Sequence, residues 1–266
     1  KYGTDALRLS LIKGISPGND SRFYEEKVED SRNFVNKLWN VARFVMMQEE
    51  KLATHADTLA DTLVAPTTAA EADATSTDAG ATPSIADRWI VSRLNRLIQE
   101  LTEHFEHSDF NMIAEKLYTF LWHEYADWYV EMSKIPELHC TQRRHTLHTF
   151  LKLAHPVMPF ITEVLARETG AVKPGEFLMI AQWPSSNGLQ IDEPLEKHMQ
   201  QLQDLITVIR NVRATYHIAS KEKLNIIIAK GSAGGIGGVQ NADSEGDDAL
   251  LVENLANVYV QPNASY

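Results

Sequence analysis

The residues best suited to chemistry lie in one stretch, SRNFVNKLWNVARF at residues 31–44. Arg32, Asn36, Trp39 and Arg43 recur there at i, i+4, i+7 and i+11, a spacing that gathers them on one side of a helix. Phe44 stands beside that stripe. Guanidinium groups suit phosphates, an amide suits a base edge, and a ring near a helix end suits an unpaired base. Such stacking contributes roughly 1–3 kcal/mol per base. The other reading is that the stripe packs against a neighbouring domain or insertion, with Trp39 in the core. A solvated helix face ordinarily mixes acids with bases and omits Trp, yet no acid occurs between Ser31 and Gln48.

The opposite side of the same helix supplies what must hold the stripe in place. Phe34, Val35, Leu38, Val41, Ala42 and Val45 follow the 3.6-residue period of a face turned to a core. The pattern predicts a long helix over about 23–48. Before it, Thr4 and Asp5 are helix-start residues, Gly14 is a stop, and ISPGND at 15–20 has turn chemistry. After it, residues 54–84 are rich in Ala, Thr and Asp with no Lys or Arg. They read as an exposed, partly mobile insertion with room for a short helix at its start. Helix returns at Ser84, where S-x-x-D with Asp87 has the form of a capping box, and runs to about residue 107. Further helices are predicted over 110–134 (capped by Asp109), 141–154 and, beyond the two prolines of HPVMPF, to about 168. A connector at 170–190 leads to a helix over 194–216. The tail changes character, with LNIIIA and VYV β-like and DDALLVENLAN helical between them.

The fold class expected is therefore mainly α, an antiparallel helical bundle with a small α/β appendage. A chain of 266 residues has room for this, and its formal charge of −11 argues against a surface that coats DNA or an anionic membrane. The acid is unevenly spread. Residues 1–50 hold eight basic and eight acidic side chains, whereas 51–84 hold one base against five acids. Cys140 is the only cysteine, which rules out an internal disulfide and suits a reducing, cytoplasmic setting. No apolar run is long enough to span a membrane. The opening KYGTDALRLS has no signal-peptide character, and the chain reads as a piece of something longer.

Other constellations are weaker. GSAGGIGGVQ, residues 231–240, does not satisfy G-x-G-x-x-G and reads as a flexible hairpin. His139, Cys140, His145 and His148 are close in sequence, but they lack a further matched ligand pair for zinc and read as a solvated helix start. Glu124, Asp127 and Glu131 share one face of an α-helix by spacing, without the E-x-x-H of a di-iron bundle, and read as a polar face with an ordinary salt bridge. Nothing assembles a nucleophile, base and oxyanion hole, so no catalytic or metal-binding residue is assigned.

The order of segments adds a family likeness. KYGTDALRLSL, SRNFVNKLWNVARFV, EKLYTFLWHEYADWYVEMSK, LKLAHPVMPFITEVL, QWP and ITVIRNVRATYHI together resemble the C-terminal part of bacterial valyl-tRNA synthetases. The likeness runs over about 1–218 and is interrupted at 51–84 and 136–144. HPVMPFITEVL resembles a segment shared with the isoleucine and leucine enzymes, while residues 115–134 and IRNVRA look more like the valine enzyme. The catalytic Lys-Met-Ser-Lys-Ser loop and His-Ile-Gly-His motif of that family are not present, nor is its editing domain.

The resemblance implies a tRNA anticodon-binding domain, with valine activation, ATP and magnesium belonging to a catalytic domain outside this sequence. It implies three regions: a stem-contact segment at 1–20, the bundle at 21–218, and the α/β tail at 219–266, whose completeness stays open. The partners implied are the anticodon loop and stem of tRNA and the catalytic and editing domains of the same enzyme, not DNA or a membrane. Carried onto this sequence, Lys37, Arg43 and Phe44 belong to the first anticodon-facing helix, and Trp128, Val130, Glu131 and Lys134 to the second. Arg43 would hold phosphate or a base edge, Phe44 would stack, Val130 would offer an apolar shelf, and Lys37 and Lys134 would supply positive field. Asn36 and Arg32 complete the set. The equivalent domain of an isoleucyl- or leucyl-tRNA synthetase, and a protein-interaction bundle without an RNA role, are the alternatives.

Overall fold

The computed structural model describes residues 1–14, 23–62, 83–185, 188–219, 221–227 and 244–261. The turn expected at 15–20, most of the acidic insertion and the Gly-rich segment at 231–238 lie outside the described residues. Helices α1 (Thr4–Ile12), α2 (Glu25–Thr62) and α3 (Ile85–Glu106) are followed by α4 (Phe110–Thr119) and a π-helical stretch, Phe120–Tyr129. The same rod ends as α5 (Val130–Met132), and α6 (Arg143–Ala154), α7 (Pro159–Glu168) and α8 (Glu193–Thr215) complete the bundle. In the tail, β1 (Leu224–Ile227) and β2 (Val258–Gln261) pair in parallel, Leu224 opposite Val258, with α9 (Ser244–Ala256) between them in sequence. The mainly α bundle with an α/β appendage is thus observed. Helix α2 runs well past residue 48, into what the sequence presents as insertion.

The apolar face of α2 is the reason for its position. Phe34, Leu38, Val41, Ala42 and Val45 are all buried, and they join Trp89, Ile90, Leu94 and Leu101 of α3 and Leu117, Leu121 and Tyr125 of the following rod in one core. Each large side chain so buried stabilises the fold by about 1.5–3 kcal/mol, so the long helices are held by tertiary packing rather than by propensity. The stripe opposite this face is consequently aimed away from the core.

Two aspartates serve distant segments instead of their own helices. Asp5, which the sequence offers as a start residue of α1, makes no cap there; the N-cap position is Gly3, whose φ of 89° is a glycine conformation. The Asp5 carboxylate instead accepts from the backbone N–H groups of Phe160 and Ile161, at 3.4 and 2.6 Å, and so caps α7. Arg8 donates to the carbonyls of Val157 and Pro156. The TDALR and HPVMPF segments are therefore two halves of one clasp. Asp87 is the second case. Ser84 does cap α3 by accepting from the Asp87 N–H, but the Asp87 side chain does not complete the box. It is 1 % exposed and accepts from the Tyr129 hydroxyl and from Thr141 N and Oγ1, at 2.9 and 3.0 Å, with Gln142 N at 3.3 Å. Burial, then the Asp87 charge, pushes the Tyr129 hydroxyl well above its ordinary range, so the phenol stays protonated and donates. This network ties the end of the π stretch to the starts of α3 and α6.

The π stretch changes which residues share a face. A turn closed by i→i+5 bonds holds more residues than an α turn; the Val130 N–H reaches back to Tyr125 O. Residues three apart then point roughly a third of a turn apart, rather than about a sixth. Glu124 and Asp127, expected on one face, accordingly diverge. Glu124 accepts from Nε and Nη2 of Arg93 on α3, at 2.9 and 2.7 Å, while Asp127 accepts from Lys37 on α2 at 2.9 Å. Arg93 also donates to Glu196 of α8 at 3.0 Å, which fixes α8 against α3.

The residues weighed for zinc have separate surroundings. Cys140 is buried, and burial with the nearby Asp87 pushes its thiol up to about 12, so it remains a neutral thiol. His139 is exposed with φ 45°, and His148 donates to Thr169 O at 3.1 Å. Among the described residues no group of three His, Cys, Asp or Glu could hold a metal ion, and no helix is long and apolar enough to cross a membrane. Burial, then the Arg144 guanidinium, lowers the His148 pKa from 6.5 to about 4. The unfolded chain therefore binds the extra proton first. His148 contributes stability above pH 6.5 that is lost as pH falls towards 4. Urea titrations at pH 7 and pH 4.5 should differ by on the order of 1–2 kcal/mol more in the native chain than in His148→Gln; an identical pH response of the two would contradict this.

Candidate nucleic-acid interface

The outer face of α2 is open. Arg32, Asn36, Trp39 and Arg43 are all exposed, and at 40 % exposure Trp39 is not the core residue its type suggested. Among the described residues, Arg32 and Arg43 meet no carboxylate and no hydrogen-bond acceptor. Phe44 sits one position round the helix, half-buried against the core. The stripe is thus a set of unneutralised cations with an amide and an indole between them, which is the inventory a phosphate-bearing single strand requires.

The rod formed by α4, the π stretch and α5 runs alongside α2 and brings up the second group of residues. Its lower part carries a ring ladder: Phe34 of α2 stacks on Tyr118 at 5.3 Å and Tyr118 on Trp122 at 5.4 Å. Lys37 lies over the Trp122 ring at 5.0 Å, and Asp127 neutralises it. Near the upper end, Lys134 lies 5.5 Å from the Phe44 ring centroid and is paired with Glu131 at 2.6 Å. Phe44, Glu131 and Lys134 are therefore brought together, as their spacing could not show. Lys37 and Lys134 each carry a matched acid, so the uncompensated charge rests on Arg32 and Arg43. One expectation needs correction. Val130 is 6 % exposed and belongs to the core, so it offers no shelf to a ligand; the π register turns it inward with Tyr129 and Met132, both buried.

Trp128 is half-buried on another side of the rod, where Arg210 of α8 lies 5.5 Å from its ring centroid. Arg210 was not legible as part of this region. IRNVRA contains two arginines three residues apart, and only the structure separates them. Arg213 is 7 % exposed and donates to the carbonyls of Asn257, Ala219 and Glu222, locking the tail to α8. Arg210 is exposed.

What the arrangement can do is bind. The open basic stripe and the ring-bearing end of the rod put cations, an amide and aromatic rings at the surface of a chain whose net charge is −11. The model of the family described as Anticodon-binding domain of tRNA ligase matches residues 87–228, and the chain belongs to that family. It is similar to the valine–tRNA ligase of Clostridium tetani, 38 % identical over 239 residues that make up 86 % of this chain and 24 % of that protein. It is also similar to the valine–tRNA ligases of Clostridium acetobutylicum, 36 % identical over 85 % of this chain and 24 % of that protein, and of Streptococcus pyogenes serotype M3, 34 % identical over 93 % and 26 %. The chain spans about a quarter of the length of these relatives.

Proposed function

We propose that this chain is the anticodon-binding region of a valine–tRNA ligase, an enzyme that joins valine to its tRNA at the expense of ATP. The observation that carries the reading is Arg43: an exposed guanidinium, unpaired among the described residues, beside a half-buried ring, on a stretch of α2 (residues 31–48) that holds no acid in an acidic chain. Arg43 holds phosphate or a base edge of the anticodon loop, and Phe44 presents its ring to an unpaired base. Lys134, held over that ring by Glu131, supplies positive field, as does Lys37 from its pair with Asp127. Trp128, Asn36 and Arg32 extend the surface. A looped single strand suits it because its bases can be splayed onto rings and read on free edges.

Valine activation, ATP and magnesium belong to the remainder of the enzyme, as does editing, and the setting is cytoplasmic. The experiment is a comparison of valine tRNA with the same tRNA carrying an exchanged anticodon. The chain should prefer the former by about tenfold or more, as one or two lost base contacts of 1–3 kcal/mol each would produce.

A further inference from the structure

Resting on the anticodon-binding reading, we infer that Arg210 is a further RNA-contacting residue, a phosphate ligand that the α/β tail holds ready over the ring of Trp128. The guanidinium is fixed from both sides. Its Nε and Nη2 donate to the Leu255 carbonyl at 3.0 and 2.8 Å, a backbone acceptor near the end of α9. Its cationic centre lies 5.5 Å from the ring centroid of Trp128, in the π stretch of the rod that Lys134 follows. Two donors on one carbonyl use one edge of the fork and leave the Nη1 donors unspent. The side chain is nevertheless exposed, and among the described residues no carboxylate pairs with it.

This pattern differs from that of a structural arginine, and Arg213 on the same helix provides the contrast. Arg213 is buried and spends its fork on three backbone carbonyls. Arg210 is exposed, half-satisfied and rigid, so little side-chain entropy remains to be lost when an anion arrives. The rod ending in Lys134 lies between two cation–ring pairs, Lys134 with Phe44 towards α2 and Arg210 with Trp128 towards α8. A strand crossing the rod end would meet one pair after the other. The tail, through Leu255, then has a part in tRNA binding without touching the tRNA.

The test is tRNA affinity of the full chain across a salt series, for the native protein and for Arg210→Ala, Arg210→Lys and Arg43→Ala. Arg210→Ala should bind roughly three- to tenfold more weakly, and the slope of log affinity against log salt should flatten by about 0.7, the loss of one single-strand phosphate contact. Arg210→Lys keeps the charge, so it should recover the slope. Thermal melts of all variants separate binding from folding, and Arg210→Lys carries the comparison if the alanine variant melts early. An unchanged slope and affinity in Arg210→Ala, with Arg43→Ala weakened, would overturn the role of Arg210 alone. No effect of either substitution would overturn the underlying RNA reading.

Discussion

Arg43→Glu should weaken binding of valine tRNA by one to two orders of magnitude while leaving the thermal midpoint of the chain unchanged. The effect on stability is small because Arg43 is exposed and makes no hydrogen bond or ion pair among the described residues; surface substitutions of that kind stay within about 0.5 kcal/mol. The effect on binding is large for two additive reasons. A charge-assisted contact to phosphate or a base edge is removed, worth about 1–3 kcal/mol. An acid is also placed on the one stretch of α2, residues 31–48, that has none. Arg43→Lys separates these contributions. It retains the charge but not the planar fork, and should fall between the native chain and Arg43→Glu. Filter binding or fluorescence anisotropy at fixed ionic strength reads all three. If Arg43→Glu binds as tightly as the native chain, the stripe is not where the tRNA lies.

The largest effect on stability is expected at Asp87. Asp87→Ala removes the acceptor for the Tyr129 hydroxyl, for Thr141 N and Oγ1 and for Gln142 N, all at a site 1 % exposed. Gln142 N retains the Tyr129 oxygen at 3.0 Å, but the phenol and the Thr141 groups are left without that partner. Each buried polar group abandoned in this way costs about 1–3 kcal/mol, so a loss of about 3–5 kcal/mol is expected, roughly 10 °C in a chain of this size. Tyr129→Phe removes a donor and leaves the carboxylate its backbone partners, and should cost about 1–2 kcal/mol. The double variant should fall short of the sum, because both changes act on one hydrogen bond. A scanning-calorimetry midpoint for Asp87→Ala within about 2 °C of the native value would contradict the network's role.

How much of this the sequence carried depends on the range of the interaction concerned. The apolar side of α2 was legible from Phe34 to Val45 because a 3.6-residue repeat is a local property, and the exposed stripe opposite follows from it. Segment order carried the family. The misreadings share a cause. Asp5 and Asp87 each stand where a local cap is expected, and each instead serves backbone donors elsewhere, at Phe160 and Ile161 for Asp5 and at Thr141 and Gln142 for Asp87. No spacing rule sees those partners. The π register of Phe120–Tyr129 leaves no distinct hydrophobic period in ten residues, so Glu124 and Asp127 were given one face by α-helical spacing and in fact diverge, while Val130, placed by the family likeness, is buried. Trp39 was legible as part of the stripe by position, while its type argued for the core; position was the better guide. Arg210 and Arg213 differ only in what the tail brings to them.

The central claim, that this surface reads an anticodon loop, is tested most directly by titrating the chain with valine tRNA and with the same tRNA in which only the anticodon triplet is replaced. About tenfold or greater preference for the native triplet is expected, reduced towards parity in Phe44→Ala as a stacking contribution of roughly 1–3 kcal/mol is lost. Equal affinity for the two RNAs in the native chain would mean that the surface holds backbone alone and reads no base.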